Sequence, residues 1–346
     1  CSYNDLKFSV YSSVCKLSSP AVAVASGLTH VESRSTVLAG TLATKRRVGV
    51  LIILLDAHLL RHAPILHLLL LLQIVRPLST HWLSGVSDVL IDDVLASEIK
   101  KYNFILQIQE LHEESKLQIK AISKVIHNAR AVFMPEYNRT ILYQIWFGLK
   151  NRPIVLPNKP YFIPGDSDLK KLTKKYERNL SVFHGKKVIL YQGGIYRLRL
   201  LEKIAQAVVE LNDNFILLLI GAEQEKGYID ELKKLDNSII HIPYLPAPDY
   251  LVFSTIAYIG WLGYAGTTLN NAYCAPNKIY EYSAFSLPMI GNDVPGLRTV
   301  IESTKSGVIV DESDIECIKR GIIEIDSNYK IYKSNSSKIY HMSDNI

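Results

Sequence analysis

The residues with the most legible chemistry in this chain are Asn277, Lys278 and Glu281, within the segment YCAPNKIYEYSAFSLPMIGNDVPGLR from Tyr273 to Arg298. Pro276 followed by Asn277 predicts a helix start with Asn277 as N-cap, and Pro288 stops that helix. A helix N-terminus offers unpaired N–H groups and the positive end of the macrodipole, which suits a diphosphate. Glu281 lies one turn further in, on the face of Asn277 and Lys278, where a carboxylate can accept two hydrogen bonds from a ribose diol. Lys278 adds a cation for phosphate charge. Read without their surroundings, Lys278 and Glu281 also fit an ordinary i,i+3 surface pair.

The surroundings are specific. PNKIYEYSAFSLPMIGND resembles the nucleotide-sugar signature of the GT-B glycosyltransferases of the group-one, retaining type: Pro-Asn-Lys, two hydrophobic residues, Glu-Tyr, a small residue, then Leu-Pro before a strand. The resemblance implies that Glu281 holds the ribose of a nucleoside-diphosphate sugar. Many relatives carry a second Glu near the donor sugar where this chain has Tyr273, so the ribose contact transfers and the sugar contact does not. KVILYQGG reads as a strand ending in Gly193 and Gly194, where the backbone can approach a ligand closely. Relatives place a diphosphate-binding basic residue five positions after this turn, and Arg199 stands there. They also carry a basic residue directly after the first glycine. That position is Gly194 here, and Arg197, able to make bidentate bonds to phosphate, is the substitute expected.

These residues need a scaffold that gathers strand ends. From Val188 onward, apolar runs alternate with helical patterns: six strands near residues 188, 215, 239, 256, 288 and 307, with helices between them. That pattern means a parallel sheet covered on both faces, with every strand's C-terminal end on one edge. At 346 residues the chain is long enough for two domains. The expected fold is α/β, two Rossmann-like domains facing across a cleft (GT-B). The boundaries are an N-terminal acceptor-side domain over 1–160, a charged linker over 161–186, the nucleotide-sugar domain over 187–330 and a tail over 331–346. The crossover helix with which the family closes its first domain is expected to be missing, because the chain stops where that helix would begin.

The first ~90 residues carry little resemblance. Ala21 to Gly27 and Val48 to Leu55 read as strands, and Asp56 to Pro77 as a core helix or one lying on a membrane surface. Its uninterrupted apolar run, Leu68 to Leu72, is far short of the ~20 residues of a membrane span. Phe104 to Gln109 is a strand that releases Glu110 and His112 into a loop, the place where open α/β sheets bind ligands. In the resembling family an acid or His of this domain faces the donor sugar, which makes Glu110 and His112 the catalytic candidates. An ordinary charged helix start explains them as well.

Charge and cysteine use narrow the partners. The net charge is +6, with 18 basic and 11 acidic residues up to Pro160 against 21 and 22 beyond it. A basic first half suits an anionic acceptor or lipid headgroups, and no nucleic-acid motif accompanies it. Cys1, Cys15, Cys274 and Cys317 are scattered without metal spacing, consistent with a reduced, cytoplasmic protein that carries no metal. The expected function is transfer of a sugar from a nucleoside-diphosphate sugar to a glycan or lipid-linked acceptor hydroxyl in envelope or capsule synthesis. The donor is the only small molecule required, and peripheral membrane contact is expected through the basic half. A non-catalytic nucleotide-sugar-binding scaffold and a GT-B sugar-nucleotide epimerase are the alternatives.

Overall fold

The computed structural model describes residues 50–54, 80–84, 96–97, 99–160, 162–211 and 214–342. The expected strand at Ala21 to Gly27 and the helix from Asp56 to Pro77 lie outside them. The chain divides into two compact units, Cys1–Leu156 and Pro157–Ile346.

In the first unit, strands β1 (Val50–Leu54), β2 (Thr80–Ser84), β3 (Phe104–Gln107), β4 (Ala131–Met134) and β5 (Ile154–Val155) form a parallel sheet in that order. Helix α1 (Lys116–Ser123) is capped by Ser115, whose hydroxyl accepts from the Gln118 N–H. Helix α2 (Tyr137–Phe147) is capped by Glu136 and closed by Gly148 in the left-handed region. Ile154 and Val155 pair with Phe133 and Met134 at the edge of this sheet.

The second unit begins with α3 (Asp166–Lys175) and α4 (Glu177–Ser181), so the expected linker is helical. Its charge belongs to exposed helix faces, while Leu180 and Phe183 are buried. Then come β6 (Lys187–Gln192), α5 (Leu201–Leu211), β7 (Phe215–Ile220), α6 (Tyr228–Lys233), β8 (Ile239–Ile242) and β9 (Ala257–Leu262). The unit continues with α7 (Leu269–Ala272), α8 (Asn277–Ala284), β10 (Met289–Asn292), α9 (Pro295–Thr304), β11 (Gly307–Val310), α10 (Ile315–Ser327) and α11 (Tyr329–Met342). The tail expected from residue 331 is therefore also helical. It packs against α8, with Ile339 buried and the Ser336 hydroxyl donating to Leu287 O at 2.6 Å.

All six strands of this unit are parallel, in the order β11-β10-β9-β6-β7-β8. Both faces are covered, which is why the strands read as apolar runs; β7 is buried at every position. Alternate residues serve opposite faces. Ile189, Tyr191, Leu217 and Leu219 pack with α5 and α10, whereas Val188, Leu190, Leu218 and Ile220 pack with α8, α9 and α11. From β6 the chain winds outward through β7 to β8, then returns to place β9 on the other side of β6. Winding reverses between β6 and β9, and that reversal opens a crevice at their C-terminal ends, the ligand position of doubly wound sheets. Among the described residues no helix is long and apolar enough to cross a membrane.

Candidate nucleotide site

Helix α8 lies over this reversal. Tyr282 is fully buried, and its hydroxyl donates to Leu190 O of β6 at 3.0 Å and approaches Trp261 O of β9 at 3.4 Å. The helix starts one residue earlier than expected: Pro276 is the N-cap and Asn277 the exposed first helical residue, with no side-chain cap bond. Proline presets the extended entry to the helix, so Asn277 is not needed for it. Asn158 steadies the preceding loop by donating to Ala275 O at 2.9 Å.

Glu281 is buried, and both of its oxygens are engaged. Tyr250 O–H donates to Oε1 and Gln192 Nε2 to Oε2, each at 2.6 Å. Burial, and then the charge of Glu281, push the Tyr250 phenol up, so its proton stays in place. Each carboxylate oxygen has a second lone pair, so Glu281 can still accept two hydroxyls with its direction already fixed. The i,i+3 surface pair is thereby set aside, because Glu281 faces the ends of β6 and of the 3-10 segment Asp249–Thr255 rather than Lys278.

Lys278 and Arg199 meet at Tyr264. The Arg199 guanidinium lies 4.2 Å from the centre of the Tyr264 ring and 4.8 Å from that of Tyr196. Lys278 Nζ is 5.6 Å from the Tyr264 ring, 5.1 Å from the Tyr191 ring, and donates to Tyr264 Oη at 3.3 Å. Aromatic faces tolerate cations but do not neutralise them. Burial, then the Arg199 charge, lower Lys278 to about 8, while Glu281 pulls the other way. Nη1 of Arg199 is buried with no hydrogen-bond partner among the described residues. Two cations share one aromatic ring, and one retains an unused donor.

The glycine turn completes this edge. Gly193 has φ +131°, and a Cβ on it would come within 3.1 Å of Lys278 Nζ. Gly194 O accepts from Tyr191 O–H at 2.6 Å, and a side chain at Gly194 would strike Gln224. The helix that follows the turn, α5, begins only at Leu201. Residues 197–199 form a 3-10 turn, and Leu200 takes φ +55°. Arg199 therefore sits on the turn before the helix. Arg197, the other cation expected at the phosphate, points to a set of carboxylates instead of to Tyr264. Its guanidinium is engaged by Glu202, Glu225 and Glu231.

Three further residues shape the site without having been marked by their spacing: Gln192, Tyr250 and Asn292. Asn292 is fully buried and makes a paired contact with Tyr264, accepting its N–H and donating to its carbonyl at 2.9 Å each. Gln192 and Asn292 stand at strand ends, and Tyr250 in the 3-10 segment Asp249–Thr255. Among the described residues no cluster of three or more His, Cys, Asp or Glu could hold a metal ion.

In the first unit, Glu110 is half exposed and pairs with Nη1 of the buried Arg139 at 3.3 Å. His112 has φ 61°, and its carbonyl accepts the Ser115 N–H at 2.9 Å. The loop is thus ordered by its neighbours, with Arg139 Nη1 also donating to Gln109 O.

Residues 173–342 match the family described as Glycosyl transferases group 1. This second unit belongs to that family. An uncharacterized glycosyltransferase of Haemophilus influenzae is 24% identical to the chain over 202 residues, covering 56% of this chain and 51% of that protein. The chain thus spans about half the length of that curated relative. Among solved structures, HepE of Anabaena in complex with UDP and glucose matches with a TM-score of 0.62 and 12% identity, over 79% of this chain and 75% of that one. Sucrose-phosphate synthase of Thermosynechococcus elongatus gives 0.57 and 16%, over 85% and 79%. The pneumococcal O-GlcNAc transferase GtfA in complex with UDP and GlcNAc gives 0.56 and 12%, over 79% and 56%. At these identities the likeness is one of fold. The parallel α/β architecture is that of GT-B glycosyltransferases, and the group 1 unit carries Glu281, Lys278 and Arg199 at the reversal of its sheet.

Proposed function

We propose that the chain is a glycosyltransferase whose group 1 unit binds a nucleoside-diphosphate sugar. The observation that carries this reading is the juxtaposition of Arg199 and Lys278 on Tyr264, beside a pre-oriented Glu281. Two cations so placed favour a bound anion, and the adjoining carboxylate supplies the acceptors that a ribose diol needs. The named ligands of HepE and GtfA support a nucleotide-sugar donor.

In the reaction, the bond from the anomeric carbon to the diphosphate oxygen breaks, the acceptor oxygen bonds to that carbon, and the acceptor proton departs. Negative charge accumulates on the leaving diphosphate. Arg199, Lys278 and the N-terminus of α8 stabilise that charge from fixed positions. With cations already in place we expect transfer to proceed in EDTA, and, as in the resembling family, with retention of configuration. Glu110 and His112 are the acceptor-side candidates, and the basic first half favours an anionic acceptor such as a lipid-linked or envelope glycan.

The test is calorimetric titration with UDP and GDP. Glu281→Gln is the informative variant, because its amide oxygen can accept from Gln192 while Tyr250 turns to accept from the amide nitrogen. Affinity for the better nucleotide should fall by ~1.5–3 kcal/mol, the size of a lost hydrogen bond to a charged group. Inorganic pyrophosphate, which has no ribose, should bind the variant and the parent alike. Equal nucleotide affinity in the two proteins would refute the ribose assignment.

A further inference from the structure

Arg197 pairs with three carboxylates in the group 1 unit, yet it does not face the Arg199–Lys278 pair. Its Nη1 is 3.0 Å from Glu202, its Nη2 2.6 Å from Glu231 and its Nε 3.4 Å from Glu225. Its backbone N–H donates to Glu225 Oε1 at 3.0 Å, and the guanidinium lies 4.7 Å from the centre of the Tyr228 ring. The side chain is half exposed. Solvent-screened ion pairs contribute little to global stability, so fold stability does not account for this investment of three carboxylates.

The position of the turn does. Residues 196–200 bridge the reversal of the sheet. On the β7 side they are tied through Arg197 to Glu225 and Glu231, and through Ile195, whose N–H donates to Ala222 O and whose O accepts from Gln224 N. On the β9 side Leu198 O accepts the Ala265 N–H at 3.0 Å, and Arg199 O accepts Trp261 Nε1 at 3.2 Å. Leu200, at φ +55°, ends the turn and lets α5 begin. A turn containing a left-handed leucine is held by its anchors rather than by its own preference.

We propose that Arg197 is a positioning residue: it anchors the β7 side of the turn and thereby holds Arg199 over Tyr264, with its unbonded Nη1 set for a diphosphate before ligand arrives. This rests on the reading of Arg199 as a phosphate ligand. Arg197 touches no ligand in this scheme, and its effect passes wholly through Arg199. Lysine can replace it only in part, because one ammonium does not reach three carboxylates as the guanidinium fork does.

The experiment is a double-mutant cycle read by titration with UDP and GDP. Arg197→Gln should weaken diphosphate binding about five- to tenfold, the coupling usual between residues in one network, with little change in melting temperature. Arg197→Lys should restore only part of it. In an Arg199→Ala background, Arg197→Gln should have no further effect. Glu231→Gln, which removes only the shortest pair, should give a smaller loss in the same direction, and it serves as the folded variant if Arg197→Gln does not express. Equal losses in both backgrounds, or none in the parent, would overturn the positioning role while leaving Arg199 as a ligand. An Arg199→Ala protein that binds UDP and GDP as well as the parent would instead overturn the site reading and this proposal with it.

Discussion

Alkaline pH should selectively weaken nucleotide binding, because Lys278 is held near neutrality. Burial, followed by the Arg199 charge, lowers its pKa to about 8 against the opposing pull of Glu281 and Cys274. Such a group is about nine-tenths protonated at pH 7 and about one-tenth at pH 9. A diphosphate bound between Lys278 and Arg199 restores the ammonium, raising the pKa towards the ordinary lysine value. Binding at pH 9 must then take up a proton that binding at pH 7 does not need. Affinity should fall about tenfold between these values, or about 1.4 kcal/mol. The unliganded protein responds with the opposite sign. The folded pKa lies below that of the unfolded chain, so the unfolded chain holds more protons above pH 8, and this residue's contribution to stability rises with pH through that window. Calorimetric titration with UDP in two buffers of different ionisation enthalpy should give proton uptake near zero at pH 7, approaching one proton at pH 9. Lys278→Met should remove both the uptake and the slope. Equal affinity at the two pH values, or a slope that survives in the Met variant, would refute the reasoning.

Two other outcomes follow from the same edge of the sheet. Gly221→Ala should destabilise the group 1 unit by more than ~2 kcal/mol, since its φ is +146° and a Cβ would stand 1.9 Å from Gly193 O. A melting temperature within about 1 °C of the parent would contradict this. Asn292→Ala should cost ~2–4 kcal/mol in urea unfolding, because it strands the buried N–H and carbonyl of Tyr264; unchanged unfolding would mean that the Tyr264 loop does not depend on Asn292.

Much of the second unit was legible because its chemistry is local. Strands buried on both faces are forced to be apolar, so β6, β7 and β9 announced themselves, and the Pro-Asn-Lys run marked α8. Interactions between distant strand ends were not legible. Gln192 and Tyr250 reach Glu281 across 89 and 31 residues, and no spacing rule joins them before the topology is known. The carboxylates around Arg197 are hidden for the same reason: Glu225 and Glu231 lie 28 and 34 residues on. The short strand β2, Thr80–Ser84, lacks the apolar run that identified its neighbours. Leu200 offered no glycine to mark the break before α5.

Helix α11 lies behind α8, pinned by the Ser336 hydroxyl on Leu287 O and by buried Ile339. It approaches no proposed ligand, yet it is the backing against which Lys278 and Glu281 are held to the sheet. Shortening the protein from this end should therefore act at a distance: each turn trimmed from α11 frees the rear of α8 and blurs the aim of both side chains. A fusion joined without a spacer at Met342 would load the same lever.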